Sequence, residues 1–188
     1  MSKVLVPIAE GFEEIEAICI IDVLRRGGIE VIMGSLDATL SVKGAHGVIM
    51  QADRPIKGLG ADDLDMIVLP GGWGGTKALA SDTTVQTLLK EMDAKGKNIG
   101  AICAAPFALN AAGVLKEGYT CYPGIEEEIE VSGFQGDKHA VVESANVMTS
   151  RGPGTAICFG LAIVKKLVGK AAYEKVRDGL LAGYCETL

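Results

Sequence analysis

Short apolar runs rich in β-branched residues alternate along this chain with segments whose apolar residues recur at helical spacing. No other feature constrains the fold as tightly. The runs at 3–8 (KVLVPI), 29–34 (IEVIMG), 65–69 (DMIVL) and 98–102 (NIGAI) read as buried strands. Between them the spacing predicts helices over 13–26, 82–95 (capped by Ser81) and 105–112. Residues 41–53 read as a hairpin, 119–122 as a further strand, and 140–143 with 147–149 as a pair turning at 144–146. Pro153 opens a long apolar helix to about 168, and 170–181 is a last helix. Strands that alternate with helices form a mostly parallel, doubly wound α/β sheet with helices on both faces, and 188 residues suffice for one such domain. Ligands of such sheets sit beyond the carboxyl ends of the strands. The loops at 9–13, 71–75, 103–106 and 150–155 therefore carry the functional expectations.

Composition narrows the classes. The net charge is −6, so a basic footprint for nucleic acid is absent. No apolar stretch is long enough to span a membrane, and the first residues lack a secretory pattern, so the chain reads as cytoplasmic. Five widely spaced cysteines, Cys19, Cys103, Cys121, Cys158 and Cys185, read as reduced thiols rather than a disulfide frame. Cys19 and Cys158 lie among apolar helical residues and read as buried. With two histidines, His46 and His139, and no C-x-x-C, no metal site is expected. Neither dinucleotide nor P-loop glycine patterns occur, so no organic cofactor is expected either.

Ala101-Ile102-Cys103-Ala104-Ala105 is the segment with the clearest chemistry. It follows a strand and opens a helix, with small residues on both sides of the cysteine, which is the pattern of a nucleophile elbow. A helix N-terminus favours a thiolate, so a lowered Cys103 pKa is expected, with the Ala104 N–H facing a developing oxyanion. Glycines 71–75 offer further backbone donors. Glu13, Glu14 and Glu16 start the first helix near the same sheet edge. Glu16, flanked by Ile15 and Ala17, is the one expected to be buried, protonated and paired with Cys103. The first helix also carries more apolar residues than one core-facing stripe needs, which predicts a second buried face.

These stretches resemble the DJ-one/ThiJ/PfpI superfamily, and within it the DJ-one (parkinsonism-associated deglycase) branch. The likeness is carried by Glu13-Glu14-Ile15-Glu16, residues 22–29, Val68-Leu69-Pro70-Gly71-Gly72, Ala101-Ile102-Cys103-Ala104 and residues 149–155. It implies a flavodoxin-like fold, a homodimer, Cys103 as nucleophile, Glu16 as its acid, and the Gly72 and Ala104 backbones as oxyanion donors. Gly71, Tyr122, Arg26 and His46 are the implied pocket residues. Tyr122 stands where many members have histidine, Ala104 where the protease-like branch has one, and His46 in place of a pocket arginine. The implied activity is a cofactor-independent glyoxalase III or protein deglycase acting on a small carbonyl substrate such as methylglyoxal, and not a protease. A redox-responsive stress protein or chaperone is the alternative.

Overall fold

A computed structural model describes residues 1–186. Its centre is a seven-stranded sheet in the order β5-β2-β1-β6-β7-β9-β8. The strands are β1 (Lys3–Ile8), β2 (Glu30–Ser35), β5 (Arg54–Pro55), β6 (Met66–Leu69), β7 (Asn98–Ile102), β8 (Val141–Ser144) and β9 (Val147–Ser150). All neighbouring pairs are parallel except β8 with β9. A separate hairpin, β3 (Ser41–Lys43) and β4 (Ile49–Gln51), stands beside it. The fold is thus the doubly wound α/β arrangement that the alternation predicts, of the flavodoxin-like kind that the resemblance implies.

The two faces follow from the two-residue period of the strands. Val4, Val6, Ile8, Met66 and Val68 point to one side, where α1 (Glu14–Arg26) and α5 (Ala156–Leu167) cover them. Leu5, Ile67, Leu69, Ile99 and Ala101 point to the other, under α2 (Trp73–Ser81), α3 (Thr83–Ala94) and α4 (Pro106–Ala111). The last helix, α6 (Lys170–Gly179), packs on α5. No helix among the described residues is long and apolar enough to cross a membrane.

Several expectations need correction. The glycine segment after β6 is not all loop: α2 begins at Trp73, against the helix propensity of Gly74 and Gly75. Packing overrides propensity there, because the turn is laced to the 11–13 backbone by Gly75 N–H to Gly11 O (3.1 Å) and Glu13 N–H to Gly71 O (2.9 Å). Ser81 ends α2, and Asp82 caps α3 by accepting from Val85 N–H at 2.9 Å. Residues 119–122 form no strand, only a bridge from Tyr119 to Phe134. Pro153 opens a single 3-10 turn before α5, and α6 stops at Gly179.

The reduced-thiol reading also fails at one pair. Cys158, buried in α5, is disulfide-bonded to Cys185 in the C-terminal turn, while Cys19, Cys103 and Cys121 are free. The partners are 27 residues apart, and only the return of the chain after α6 brings them together.

Candidate active site

The site is assembled where β7 ends. Cys103 follows that strand and adopts φ 63°, a left-handed conformation that a side-chain-bearing residue rarely takes. Three backbone connections fix it there. Its N–H donates to Ser150 O at 3.0 Å, its carbonyl accepts from Tyr122 N–H at 2.9 Å, and Phe107 N–H closes the following turn on Ala104 O at 3.0 Å. The side chain is 8% exposed, buried but reachable. The Gly72 and Ala104 N–H groups are directed at the sulfur itself. They therefore favour charge on sulfur once the thiol is deprotonated, in addition to any oxyanion that forms later.

Glu16 arrives from the first turn of α1. Glu13 caps that helix, its Oε2 accepting from Glu16 N–H at 2.7 Å. The cap aims Glu16 under the elbow, where it is fully buried. Glu16 Oε2 accepts from Gly71 N–H at 2.8 Å. Oε1 has no hydrogen bond of regular geometry, and the Cys103 thiol is the polar group the carboxyl interacts with. Burial pushes the Glu16 pKa up to about 7, opposed by the Cys103 and Gly71 hydrogen bonds and aided by the charge of Glu13. Burial and then the charge of Glu16 also push the Cys103 thiol up, against the pull of the two N–H donors. The lowered thiol expected from a helix N-terminus is thus corrected. The six-residue α4 starts three residues later, and desolvation outweighs its field. Cys103 and Glu16 titrate as one pair.

Two glycines make this proximity possible. A Cβ on Gly71 would lie 2.7 Å from both Cys103 Cβ and Glu16 Oε2. Gly72 has φ 85°, and a Cβ there would meet Gly11 O at 2.4 Å.

The other expected pocket residues divide. Tyr122 is half-exposed beside Cys103 and lines a cavity of about 240 Å³ with Pro123, Arg151 and residues 152–155. A larger cavity of about 390 Å³ along Ala9, Ser35 and Lys43 is not lined by Cys103 or Glu16. His46 does not reach Cys103. Its ring Nδ1 pairs with Glu14 Oε2 at 2.9 Å, and its N–H donates to Glu14 Oε1 at 2.6 Å. Those bonds hold Glu14 below the usual carboxylate range although burial works against them, and raise the His46 pKa. Within this chain Arg26 does not reach Cys103. It lies at the far end of α1, roughly 18 Å along the helix from Glu14, paired with Asp22 at 2.7 Å. Glu13, Glu14 and His46 also present ligand atoms within 4.8 Å of one another, but the carboxylates already serve as helix cap and hairpin anchor.

Sequence reasoning missed three contributors: Ser150, which fixes the Cys103 N–H, and the ring pair Trp73–Phe107 (centroids 5.3 Å apart) at the starts of α2 and α4. The position of Trp73 directly after Gly72 was the available signal.

The sequence and fold have close counterparts. The DJ-1/PfpI family profile matches residues 2–166. Drosophila melanogaster DJ-1beta is 40% identical over 186 residues, 98% of this chain and 100% of its own. The chain belongs to the DJ-1/PfpI family. The DJ-1beta crystal structure superposes with a TM-score of 0.92, covering 96% of this chain and 98% of that one. Toxoplasma gondii DJ-1, in a structure described as oxidized, is 36% identical with a TM-score of 0.89, covering 96% and 98%. A Caenorhabditis elegans family member named glutathione-independent glyoxalase DJR-1.2 is 40% identical over 160 residues, 85% of each chain.

Proposed function

We propose that this DJ-1/PfpI protein is a cofactor-independent glyoxalase of the glyoxalase III or deglycase type, acting on α-oxoaldehydes such as methylglyoxal or their protein adducts. The observation that carries the reading is the buried Glu16 carboxyl, poised near neutrality against a cysteine whose sulfur faces two N–H donors. The C. elegans relative's name supports the same class.

In this reading the pair loses its first proton near pH 7 from Glu16, and when the aldehyde binds the Cys103 thiol passes its proton to the Glu16 carboxylate, leaving thiolate and protonated Glu16. The thiolate adds to the aldehyde carbon, and Glu16 protonates the resulting oxyanion, giving a hemithioacetal. Glu16, now a carboxylate, carries the C1 proton to C2 while the hydroxyl proton passes from one oxygen to the other. The product is a thioester of an α-hydroxy acid. Glu16 then takes a proton from water, the hydroxide adds to the thioester carbon, and the C–S bond breaks. Thiolate and protonated Glu16 are restored, and the hydroxy acid leaves. One carbon is oxidised and its neighbour reduced, so no external redox agent is needed. The test is lactate formation from methylglyoxal by wild type and Cys103→Ser; no lactate from wild type would refute the reading.

A second reading is a redox-responsive stress protein or chaperone, in which peroxide carries Cys103 to the sulfinate and the Gly72 and Ala104 N–H groups hold its oxygens. It is supported by the oxidized T. gondii relative and by the two backbone donors that face the partly accessible Cys103 sulfur.

The protein is further proposed to act as a homodimer. Ile15 and Ile18 on α1 are 54% and 45% exposed, and Val48 and Ile49 on the hairpin 47% and 64%. The Glu14 bonds to the His46 and Val48 N–H groups tie the hairpin to the start of α1, which carries Ile15 and Ile18. A two-fold interface there would bury on the order of 1,200–2,000 Å². Light scattering that reports a monomer at micromolar concentration would exclude it. Small carbonyl compounds are the proposed ligands, and the cytoplasm the proposed location.

A further inference from the structure

The C-terminal return is lightly seated on the rest of the molecule. In α6, which starts after Gly169 (φ 109°), only Val176 is buried. Tyr173 and Leu180 lie half-buried against the α1/α5 side of the core. After α6 the chain turns back through Leu181, which is 88% exposed and held at φ 56°, a conformation that side-chain-bearing residues rarely adopt. The backbone bonds of this turn are local. Leu181 N–H donates to Asp178 O (3.1 Å), Ala182 N–H to Arg177 O (3.0 Å) and Cys185 N–H to Ala182 O (3.1 Å). They shape the return without fixing it to α5. The buried Ala182 and the Cys158–Cys185 disulfide join it to that side of the core. Cys158 is the third residue of α5 and 5% exposed, whereas Cys185 is half-buried. A segment with few buried apolar contacts opens locally before the fold as a whole, so a cross-link spanning 27 residues decides whether this one does.

We propose that the Cys158–Cys185 disulfide is a redox clasp: a dithiol reductant opens it in the folded protein and releases residues 180–185 from α5, and a small disulfide oxidant closes it again. In the cytoplasm, the location proposed above, the disulfides that do occur are mostly transient or redox-sensing. One thiolate of the dithiol attacks Cys185 Sγ, which belongs to the more accessible partner. The Cys158–Cys185 bond breaks, and Cys158 leaves as a thiolate and takes up a proton. The second thiol of the reductant then displaces Cys185 from the mixed disulfide, and Cys185 is protonated in turn. The reductant ends as its own disulfide, and the two protons it loses match the two the cysteines gain. Opening frees Ala182 from its seat in the core and leaves Cys158 as a buried thiol. This chemistry is thiol–disulfide exchange and is independent of carbonyl turnover at Cys103.

The test uses the full chain, equilibrated at neutral pH with oxidised glutathione or with dithiothreitol and no denaturant. Alkylation after quenching and unfolding, read by mass, should find Cys158 and Cys185 blocked in the first sample and alkylated in the second. Chymotrypsin cleavage at Leu180, Leu181 and Tyr184, followed by peptide mass spectrometry, should be at least about tenfold faster in the reduced protein, because proteolysis tracks the open population. Circular dichroism should stay the same, showing that the sheet is intact. Adding oxidised glutathione should restore slow cleavage. Cys185→Ser, a change at the half-buried partner, should be cleaved at the reduced rate with or without dithiothreitol. Alkylation of both cysteines after oxidised glutathione would show that the clasp does not form and overturn the proposal. A disulfide that resists dithiothreitol until urea unfolds the protein would be a structural staple and overturn it too. So would reduction that leaves the cleavage rate unchanged, or Cys185→Ser cleaved as slowly as the oxidised wild type.

Discussion

Two cysteine–glutamate pairs stand among the described residues, and they are built for different ends. Cys103 and Glu16 meet on the α1/α5 side of the sheet; Cys121 and Glu126 meet on the other. Glu16 is fully buried at the start of a helix, with one oxygen on Gly71 N–H and the Cys103 thiol as the carboxyl's other polar neighbour. Glu126 is half-buried in a 3-10 turn, where its Oε2 accepts from Gly124 N–H at 2.7 Å and lies 3.9 Å from Cys121 Sγ. Both thiols are raised chiefly by burial, Cys121 to about 12. The difference is access and backbone. Cys103 is strained to φ 63°, 8% exposed, and faced by two N–H groups from separate segments. Cys121 is completely buried, and the bond that fixes it is Arg151 Nη1 to its carbonyl at 3.2 Å. A thiol beside a carboxyl is therefore not by itself a reactive site. The strand-end turn that exposes the sulfur and gathers donors around it makes the distinction.

The widest gap between the pairs should appear in turnover. Cys103→Ser is expected to lower lactate formation from methylglyoxal on the order of a thousandfold or more, because the attacking atom is lost. Cys121→Ser should stay within about twofold of wild type. Equal losses would show that the second pair shares the chemistry and would break the comparison.

Stability against pH gives the next largest effect. Glu16 titrates near 7 in the folded protein and near its ordinary 4.5 when unfolded. Between those values the folded state holds a proton that the unfolded state has released, so unfolding free energy falls as pH rises through this window. The loss amounts to about 3 kcal/mol by pH 7.5. Glu16→Gln cannot ionise, and its urea-unfolding free energy should lack this component. The same slope in both proteins would refute the buried, protonated carboxyl.

Peroxide sharpens the contrast further. At stoichiometric peroxide, peptide mass spectrometry should find two added oxygens on Cys103 at least about tenfold more often than on Cys121, since access and charge-stabilising donors favour the former. Even modification of the free cysteines, or a Cys103–Cys121 disulfide, would contradict the difference in access between the two thiols.

Much of this was legible in the chain itself. Small residues around Cys103 predict a sharp turn after a strand, a local consequence of side-chain size; the burial expected of Glu16 holds, but its Ile15 flank is 54% exposed, and Glu13 and Glu14 are buried with it. What was not legible depends on distant parts meeting. Arg26 and His46 sit at suitable sequence positions, but α1 is long enough to carry Arg26 away, and Glu14 captures His46. The Cys158–Cys185 bond needs the whole C-terminal return. The direction of the Cys103 shift is a balance of burial against donors, and sequence position reveals the donors but not the burial.

The smallest effect tests whether the Cys121–Glu126 contact is an interaction or only a packing neighbour. Cys121 fills a fully buried position among apolar residues of the α2–α4 side. Cys121→Ser replaces sulfur by a hydroxyl with a shorter bond to Cβ, which moves it away from an acceptor already 3.9 Å distant. The hydroxyl is then buried without a partner, at a cost of about 1–2 kcal/mol in urea unfolding. Cys121→Ala leaves a small void but no orphaned polar atom, so it should cost less than Cys121→Ser. Glu126→Gln should change stability by under about 0.5 kcal/mol, and a double-mutant cycle with Cys121→Ala should show coupling of the same small size. Coupling above about 1 kcal/mol would mean that the second pair is as tightly joined as Cys103 and Glu16. The difference between the two sites would then lie in access alone.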